Sequence, residues 1–281
     1  MPTKIFLDSG DPAETRTMIN LLGSLDGQTT NPTLVSKHPV VKERFENGQK
    51  FTPKEIMDFY KQVVSEISAL IPAGSVSIEV YADKHTTHEE MIAQARAMFS
   101  WIPNAHIKLP TTTEGLIAAE ALVKDGLRIN MTLCFSEAQA AAVYVATKGA
   151  KKGQVFISPF VGRLDDQGEN GMDIIKNIMG LYKKGDGHVE VLAASIRNMN
   201  QLNASMKYGV DIITAPALLL SEWNKQGKQV PDGFSYDVPL TPILYHGFDL
   251  DTAWNTFDIT HPLTEKGLER FSSDWNALIS R

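Results

Sequence analysis

The sequence predicts an α/β protein folded as a single (β/α)8 TIM barrel with an extra carboxyl-terminal loop and helix. Three observations carry this. Eight short apolar-rich runs recur between residues 5 and 214, helix-start signals follow several of them, and within the runs one side-chain parity is apolar while the other turns polar toward the carboxyl end. Strand alternating with helix implies βαβ units and a parallel sheet, and eight units is the count at which such a sheet closes. An open doubly wound sheet is the alternative. It usually carries a glycine-rich first turn, which Asp8-Ser9-Gly10-Asp11 is not.

Taken in order, the first run (5–8) precedes Asp11-Pro12 with Glu14, an aspartate cap with proline at the first helical position. The second run (28–31) leads into a longer connection in which Thr52-Pro53 with Glu55 opens a further helix. The runs 76–80, 105–109 and 128–133 precede Thr87 with Glu90, Thr111 with Glu114, and Ser136 with Gln139, all with capping-box spacing. The last three runs are 155–158, 189–195 and 211–214. Successive strand residues point to opposite faces, so Val76, Ile78 and Val80 oppose Ser77 and Glu79. Likewise Ile107 and Leu109 oppose His106 and Lys108, and Ile129, Met131 and Leu133 oppose Arg128, Asn130 and Thr132. The apolar set suits packing beneath helices. The polar set, continued by Asp8, Asn31, Ser158, Ser195 and Arg197, would converge on the barrel axis and line one pocket.

After Pro216 the rhythm weakens. Residues 221–262 are rich in Gly, Pro and Asp and read as irregular loop with short helical pieces. Residues 264–279 read as a helix with Leu268, Phe271, Trp275, Leu278 and Ile279 on one face, packed on the barrel or on a second subunit. The chain is therefore expected to be one domain over 1–281, with 217–281 as an extension packed on the barrel.

Composition narrows the function. With 281 residues, 43% hydrophobic and 21% charged, the chain can build a sizeable core. A formal net charge of -6 speaks against nucleic acid as a partner, which wants a basic footprint, and an anionic substrate would need local positive charge. The only cysteine, Cys134, excludes an internal disulfide and fits a reducing compartment; it is expected to pack against a helix and be inert. Met1-Pro2-Thr3-Lys4-Ile5 is no apolar leader, and no run approaches the roughly 18 apolar residues of a membrane span. A cytoplasmic protein without membrane contact is expected.

The stretch richest in chemistry is His106-Ile107-Lys108-Leu109-Pro110, which puts a lysine near the carboxyl end of a strand, where ligands of α/β proteins gather. Burying an ammonium there is unfavourable unless something offsets it. One reading is an amine kept as a nucleophile for a carbonyl. Taken alone, the pentapeptide reads more simply as a lysine whose stem lies on apolar surface while its head reaches water. The surrounding motifs decide.

Those motifs are Phe6-Leu7-Asp8-Ser9-Gly10-Asp11, Thr29-Thr30-Asn31-Pro32-Thr33, Ser77-Ile78-Glu79-Val80, Ile107-Lys108-Leu109-Pro110, Asn130-Met131-Thr132-Leu133-Cys134-Phe135-Ser136, Ile157-Ser158-Pro159-Phe160-Val161-Gly162-Arg163 and Ala194-Ser195-Ile196-Arg197-Asn198. Together, and in this order, they resemble the transaldolase family, class I Schiff-base enzymes of sugar phosphate metabolism, with its fructose 6-phosphate aldolase branch. The resemblance implies that Lys108 attacks a ketose phosphate, that Asp8 removes the C4 hydroxyl proton, and that Glu79 with Thr132 positions a proton-relaying water. It further implies that Asn31, Asn130 and Ser158 hold the hydroxyls of the three-carbon fragment and that Arg163, Arg197 and Ser195 take the phosphate. In the aldolase branch a glutamine stands in place of Glu79 and a tyrosine in place of Phe160, so the residues here favour transfer over cleavage. The implied enzyme moves a dihydroxyacetone unit from fructose 6-phosphate or sedoheptulose 7-phosphate to an aldose phosphate, as in the pentose phosphate pathway, without cofactor or metal. Its partners would be small-molecule sugar phosphates, and it would form a homo-oligomer.

Other readings stay open at this point. Asp8 could be a turn residue, Glu79 a paired strand carboxylate, Arg163 and Arg197 solvated charges. Rival functions are a fructose 6-phosphate aldolase-like enzyme, a transaldolase for an unusual anionic ketose such as sulfofructose, and a non-catalytic sugar-phosphate binding barrel. His85-x-x-His88-Glu89 is better read as a helix start with solvated histidines than as a metal site. Residues 166–171 resemble a calcium loop only superficially, since Gly168 replaces a ligand and Asn177 stands at the closing position.

Overall fold

The computed structural model describes residues 2–280. Eight parallel strands, β1 (Lys4–Asp8), β2 (Gly27–Thr29), β3 (Ser75–Glu79), β4 (Ala105–Pro110), β5 (Ile129–Cys134), β6 (Val155–Pro159), β7 (Val189–Ala193) and β8 (Ile212–Ala215), pair in chain order. Strand β8 returns to β1, with Lys4 opposite Ile212, so the sheet is the closed barrel expected, not the open alternative. The helices are α1 (Pro12–Leu22), α2 (Pro32–Ser36), α3 (Pro39–Glu46), α4 (Pro53–Leu70), α5 (His88–Phe99), α6 (Thr113–Lys124), α7 (Glu137–Ala146), α8 (Val161–Asp165), α9 (Gly171–Tyr182), α10 (Met199–Tyr208), α11 (Ala217–Lys225) and α12 (Pro262–Ala277).

Local chemistry starts most of these helices as the sequence predicts. Asp11 caps α1, and the capping boxes Thr52/Glu55, Thr87/Glu90 and Ser136/Gln139 all form. The expected box at Thr111 and Glu114 does not. Thr111, just past β4, is still tied to β5, its N–H donating to the Thr132 carbonyl at 2.8 Å and its hydroxyl to the same oxygen. The cap falls one residue later, on Thr112, and Glu114 instead accepts from the backbone and ring of His88. Gly115 is required there, because a Cβ would stand 1.9 Å from the Pro110 carbonyl oxygen.

The ring of helices is completed by α11, which packs on α1, α10 and β1. Beyond it the chain is irregular apart from a 3-10 turn at Trp254–Thr256, until α12 lies against α2 and β5. Buried polar groups fix this tail. Glu137 accepts from the N–H groups of His246 and Gly247, both at 2.8 Å, and Gln139 donates to the Ile259 carbonyl and the Thr264 hydroxyl. No helix among the described residues is long and apolar enough to cross a membrane.

The barrel interior has two chemically distinct layers. At the amino end of the strands His106 stacks on Phe156 at 4.0 Å, Phe6 meets Phe156 edge-on, and Lys4 pairs with Glu190 at 2.9 Å. Burial pushes the His106 imidazole down to about 3, so this floor carries a neutral ring. The layer above is polar, built from Asp8, Thr29, Glu79, Lys108, Asn130, Ser158 and Thr214. Parity therefore puts these side chains inside, but it does not extend to three others. Asn31, Ser195 and Arg197 lie past the strand ends: Asn31 caps α2, and Ser195 sits at φ 57°. Cys134 departs in another way. Regular alternation would turn it inward with Thr132, but the chain bulges at Leu133 (φ 59°), and the buried thiol donates to the Ser136 carbonyl at 3.6 Å.

Two consequences can be measured. A Cβ at Gly27 would lie 2.5 Å from the Phe6 ring, which Phe156 holds in place, so Gly27→Ala is expected to lower stability by about 1–3 kcal/mol, read as a fall in urea midpoint at unchanged slope. Burial pushes the Cys134 thiol up to about 12, so iodoacetamide at pH 8 should leave the native protein unlabelled and alkylate it only in denaturant.

Candidate active site

A pocket opens at the carboxyl ends of the strands, with Asp8, Lys108 and Thr132 in its depth and Asn31, Ser158, Phe160, Arg163, Ser195 and Arg197 around them. Two expected residues, Glu79 and Asn130, do not form its surface. They stand directly behind it, touching Lys108 and Ser158.

Lys108 is 3% exposed. Its Nζ donates to the Thr30 carbonyl at 3.0 Å and lies 2.8 Å from Glu79 Oε2. The second contact is an ion pair outside hydrogen-bonding angles, so Oε2 is left without a hydrogen-bond partner, as is the buried Thr132 hydroxyl. Both atoms thus retain the capacity to hold a small polar molecule between strands β3 and β5. Burial pushes the Glu79 carboxyl above the usual carboxylate range, opposed chiefly by Lys108. Asp8 is raised in the same way, opposed by the Thr29 hydroxyl, which donates to it at 2.6 Å, and by Lys108. Two carboxylates with raised proton affinity therefore stand around one amine, an arrangement suited to passing protons.

The neutral polar side chains are fixed in series. Ser158 Oγ donates to Asn130 Oδ1 at 2.7 Å, and Asn130 Nδ2 donates to Ser77 Oγ at 3.1 Å. Asn31 Oδ1 is engaged by the Leu34 N–H, which leaves its NH2 group as the part able to donate.

Three arginines, Arg163, Arg197 and Arg270, line the same pocket. Arg163, on the short α8, lies over the Phe160 ring at 5.0 Å and the Phe271 ring at 5.3 Å, and it pairs with no carboxylate among the described residues. Burial pushes it down to about 10, which still leaves it charged at neutral pH. Arg197 is aimed by Asp166, both of whose oxygens lie 2.6 Å from Nη1. Gly162 makes room for this group, since a Cβ would stand 2.5 Å from the Ser195 carbonyl oxygen and 2.6 Å from Arg197 Nε.

Sequence reasoning missed several wall residues. Thr29 and Thr214 come from strand parity and could have been read from it. Lys37, just past α2, and Arg270 with Phe271, on α12, could not, because only tertiary docking brings those helices to the pocket. The side readings also have places. Asp166, from the supposed calcium loop, serves Arg197, and Asn170 caps α9. His88 is not simply solvated: its two ring nitrogens meet different carboxylates, Glu114 at 2.7 Å and Glu89 at 3.0 Å.

A buried lysine beside two carboxylates at the mouth of a (β/α)8 barrel, in one pocket with arginines, defines a barrel able to hold an anionic ligand next to an amine. Comparison narrows this. The family described as Transaldolase/Fructose-6-phosphate aldolase matches residues 5–281. A probable transaldolase of Dehalococcoides mccartyi is 35% identical over 275 residues, covering 98% of this chain and 99% of that protein. A probable transaldolase of Brucella anthropi is 36% identical over 272 residues, 97% of this chain and 96% of its own. Among solved structures, 3-hexulose-6-phosphate synthase from Salmonella typhimurium aligns at a TM-score of 0.49 and 11% identity, over 80% of this chain and 99% of that one. The chain belongs to the transaldolase/fructose-6-phosphate aldolase family.

The Thr29 hydrogen bond favours the ionised form of Asp8. In Thr29→Val, burial acts with less opposition, so the Asp8 carboxyl should keep its proton to higher pH. A carboxyl-carbon NMR titration in which the Asp8 midpoint stayed put or fell would refute this.

Proposed function

We propose that the protein is a transaldolase that carries a dihydroxyacetone unit from a ketose phosphate, fructose 6-phosphate or sedoheptulose 7-phosphate, to an aldose phosphate through a Schiff base on Lys108. The observation that carries the reading is the buried Lys108 amine, ion-paired to Glu79 at 2.8 Å with Asp8 close enough to share its field. Family membership supports the reaction class.

In this reading Lys108 adds to the C2 carbonyl, and loss of water leaves an iminium. Glu79 and the Thr132 hydroxyl, whose buried oxygens lack hydrogen-bond partners, hold the water that relays those protons. Asp8 takes the proton of the C4 hydroxyl as the C3–C4 bond breaks. The bond's electrons move into the iminium, giving an enamine, and an aldose phosphate leaves. An acceptor aldehyde then takes the electrons back in the reverse sense, and hydrolysis frees Lys108. Asn31, Asn130 and Ser158 hydrogen-bond the hydroxyls of the retained fragment, and Arg163, Arg197 and Ser195 take the phosphate by charge-assisted contacts. Phe160 offers no hydroxyl to protonate the enamine, which favours waiting for an acceptor over simple cleavage.

Borohydride added with fructose 6-phosphate should fix the sugar fragment on the peptide containing Lys108, and Lys108→Ala should take up none. Donor turnover should rise on adding erythrose 4-phosphate; equal rates with and without it would defeat transfer in favour of aldol cleavage. Asp8→Asn should lower kcat by about 10²–10⁴-fold. Because burial raises the Asp8 carboxyl and the base must be ionised, kcat/KM should fall on the acid side at a higher pH than an ordinary aspartate would set.

A further inference from the structure

The tail helix does more than cover the pocket. We propose that Arg270 of α12 is the third guanidinium of the substrate's anion site and sets a preference for a dianionic phosphate over a singly charged group. This rests on reading the pocket as a ketose-phosphate site.

The argument starts from what holds α12. Gly267 lies so close to the barrel that a Cβ would stand 2.6 Å from a Leu133 methyl and 2.7 Å from Arg163 Nη1. Residues three and four positions on share that side of a helix, and these are Arg270 and Phe271, both in the pocket wall. Phe271 lies under the Arg163 guanidinium at 5.3 Å. Arg270 is therefore set one turn beyond a fixed contact with Arg163.

Its own partner is weak. Arg270 Nε is 3.9 Å from Asp274 Oδ2, an oxygen that already accepts from the Thr33 hydroxyl. Arg197 has Asp166 against it, whereas Arg163 and Arg270 share one pocket wall with no carboxylate in ion-pair contact with Arg163 among the described residues, and the like charge of Arg270 acts on Arg163 against Glu79 and Asp166. Such like-charge repulsion is unfavourable until an anion enters. Coulomb attraction scales with the ligand's charge, so a third guanidinium adds more for a phosphate dianion than for a monoanion such as a sulfonate.

Arg270→Gln should lower kcat/KM for fructose 6-phosphate by about tenfold or more, mostly through KM, the loss expected for one charge-assisted contact. With uncharged dihydroxyacetone as donor and an uncharged aldehyde such as glyceraldehyde as acceptor the loss should be less than about twofold, since no anion is there to be held. Preference for the phosphate ketose over one carrying a sulfonate in its place should shrink, and Arg270→Lys should recover part of the loss. Calorimetry with inorganic phosphate, which needs no turnover, should show weaker binding in Arg270→Gln. Equal losses on charged and uncharged donors, unchanged phosphate binding, or an unchanged preference would each overturn the proposal. If borohydride fails to trap wild-type protein at Lys108, the transaldolase reading falls instead, while the phosphate calorimetry still decides the role of Arg270.

Discussion

The constraint on which the rest depends is the burial of the Lys108–Glu79 pair at the barrel axis. Both side chains are nearly removed from water, and taking two charges out of solvent is repaid only where geometry is good and the remaining polar atoms find partners. Much of the surrounding structure supplies those partners. The Thr30 carbonyl accepts from Lys108, and Tyr60, reaching in from α4, accepts from the Glu79 N–H while bonding to the Thr30 hydroxyl at 2.6 Å. The long connection between β2 and β3 thus ends in a helix whose buried phenol locks the two backbone segments that face the amine. Replacing a buried ion pair by apolar residues of similar volume often costs nothing, so burial of this pair is weak evidence of a stabilising role.

The site also needs a rigid support, and the lower layer of the barrel provides one. Phe6, His106 and Phe156 fill the axis beneath the polar layer, and Gly27 leaves the space that Phe6 occupies. Close packing of this kind transmits strain instead of absorbing it, so Asp8, two residues past Phe6, and Lys108, two past His106, are held by neighbours that cannot shift. The neutral imidazole also keeps a second positive charge away from the amine.

How far the sequence discloses this follows from how local each cause is. Strand alternation and helix caps are set by residues a few positions apart, so the barrel and the inward placing of Asp8, Glu79, Lys108, Asn130 and Ser158 could be read directly. Where the pleat ends, so does the inference. Asn31, Ser195 and Arg197 belong to loops, so the parity that counts them with the inward strand residues does not hold there, and motif resemblance alone sets them at the site. The cap at Thr112 was displaced because hydrogen bonds to the Thr132 carbonyl tie Thr111 to β5. Arg270 and Phe271 were hidden for a deeper reason. An amphipathic stripe says that a helix is buried, but its docking site is fixed by distant groups, here Gln139, Thr264 and the bulge at Leu133.

That bulge links strain to the site. Leu133 and Ser195 both sit near φ +60°, where a residue with a Cβ is disfavoured, and such strain persists only when surroundings over-determine it. At Leu133 the carbonyl accepts from the Thr264 hydroxyl and the side chain meets Gly267, so the distorted end of β5 is the seat of α12. At Ser195 the carbonyl accepts from the Gly162 N–H, which ties the end of β7 to the turn that carries Arg163. Both departures from strand geometry thus bear on the arginine-lined wall of the pocket: one fixes the helix that carries Arg270, the other aligns the segments of Arg163 and Arg197. Relaxing either would leave the Lys108 cluster on its strands and loosen the arginines, which separates the amine, built on the barrel, from the cations, built on its loops and tail.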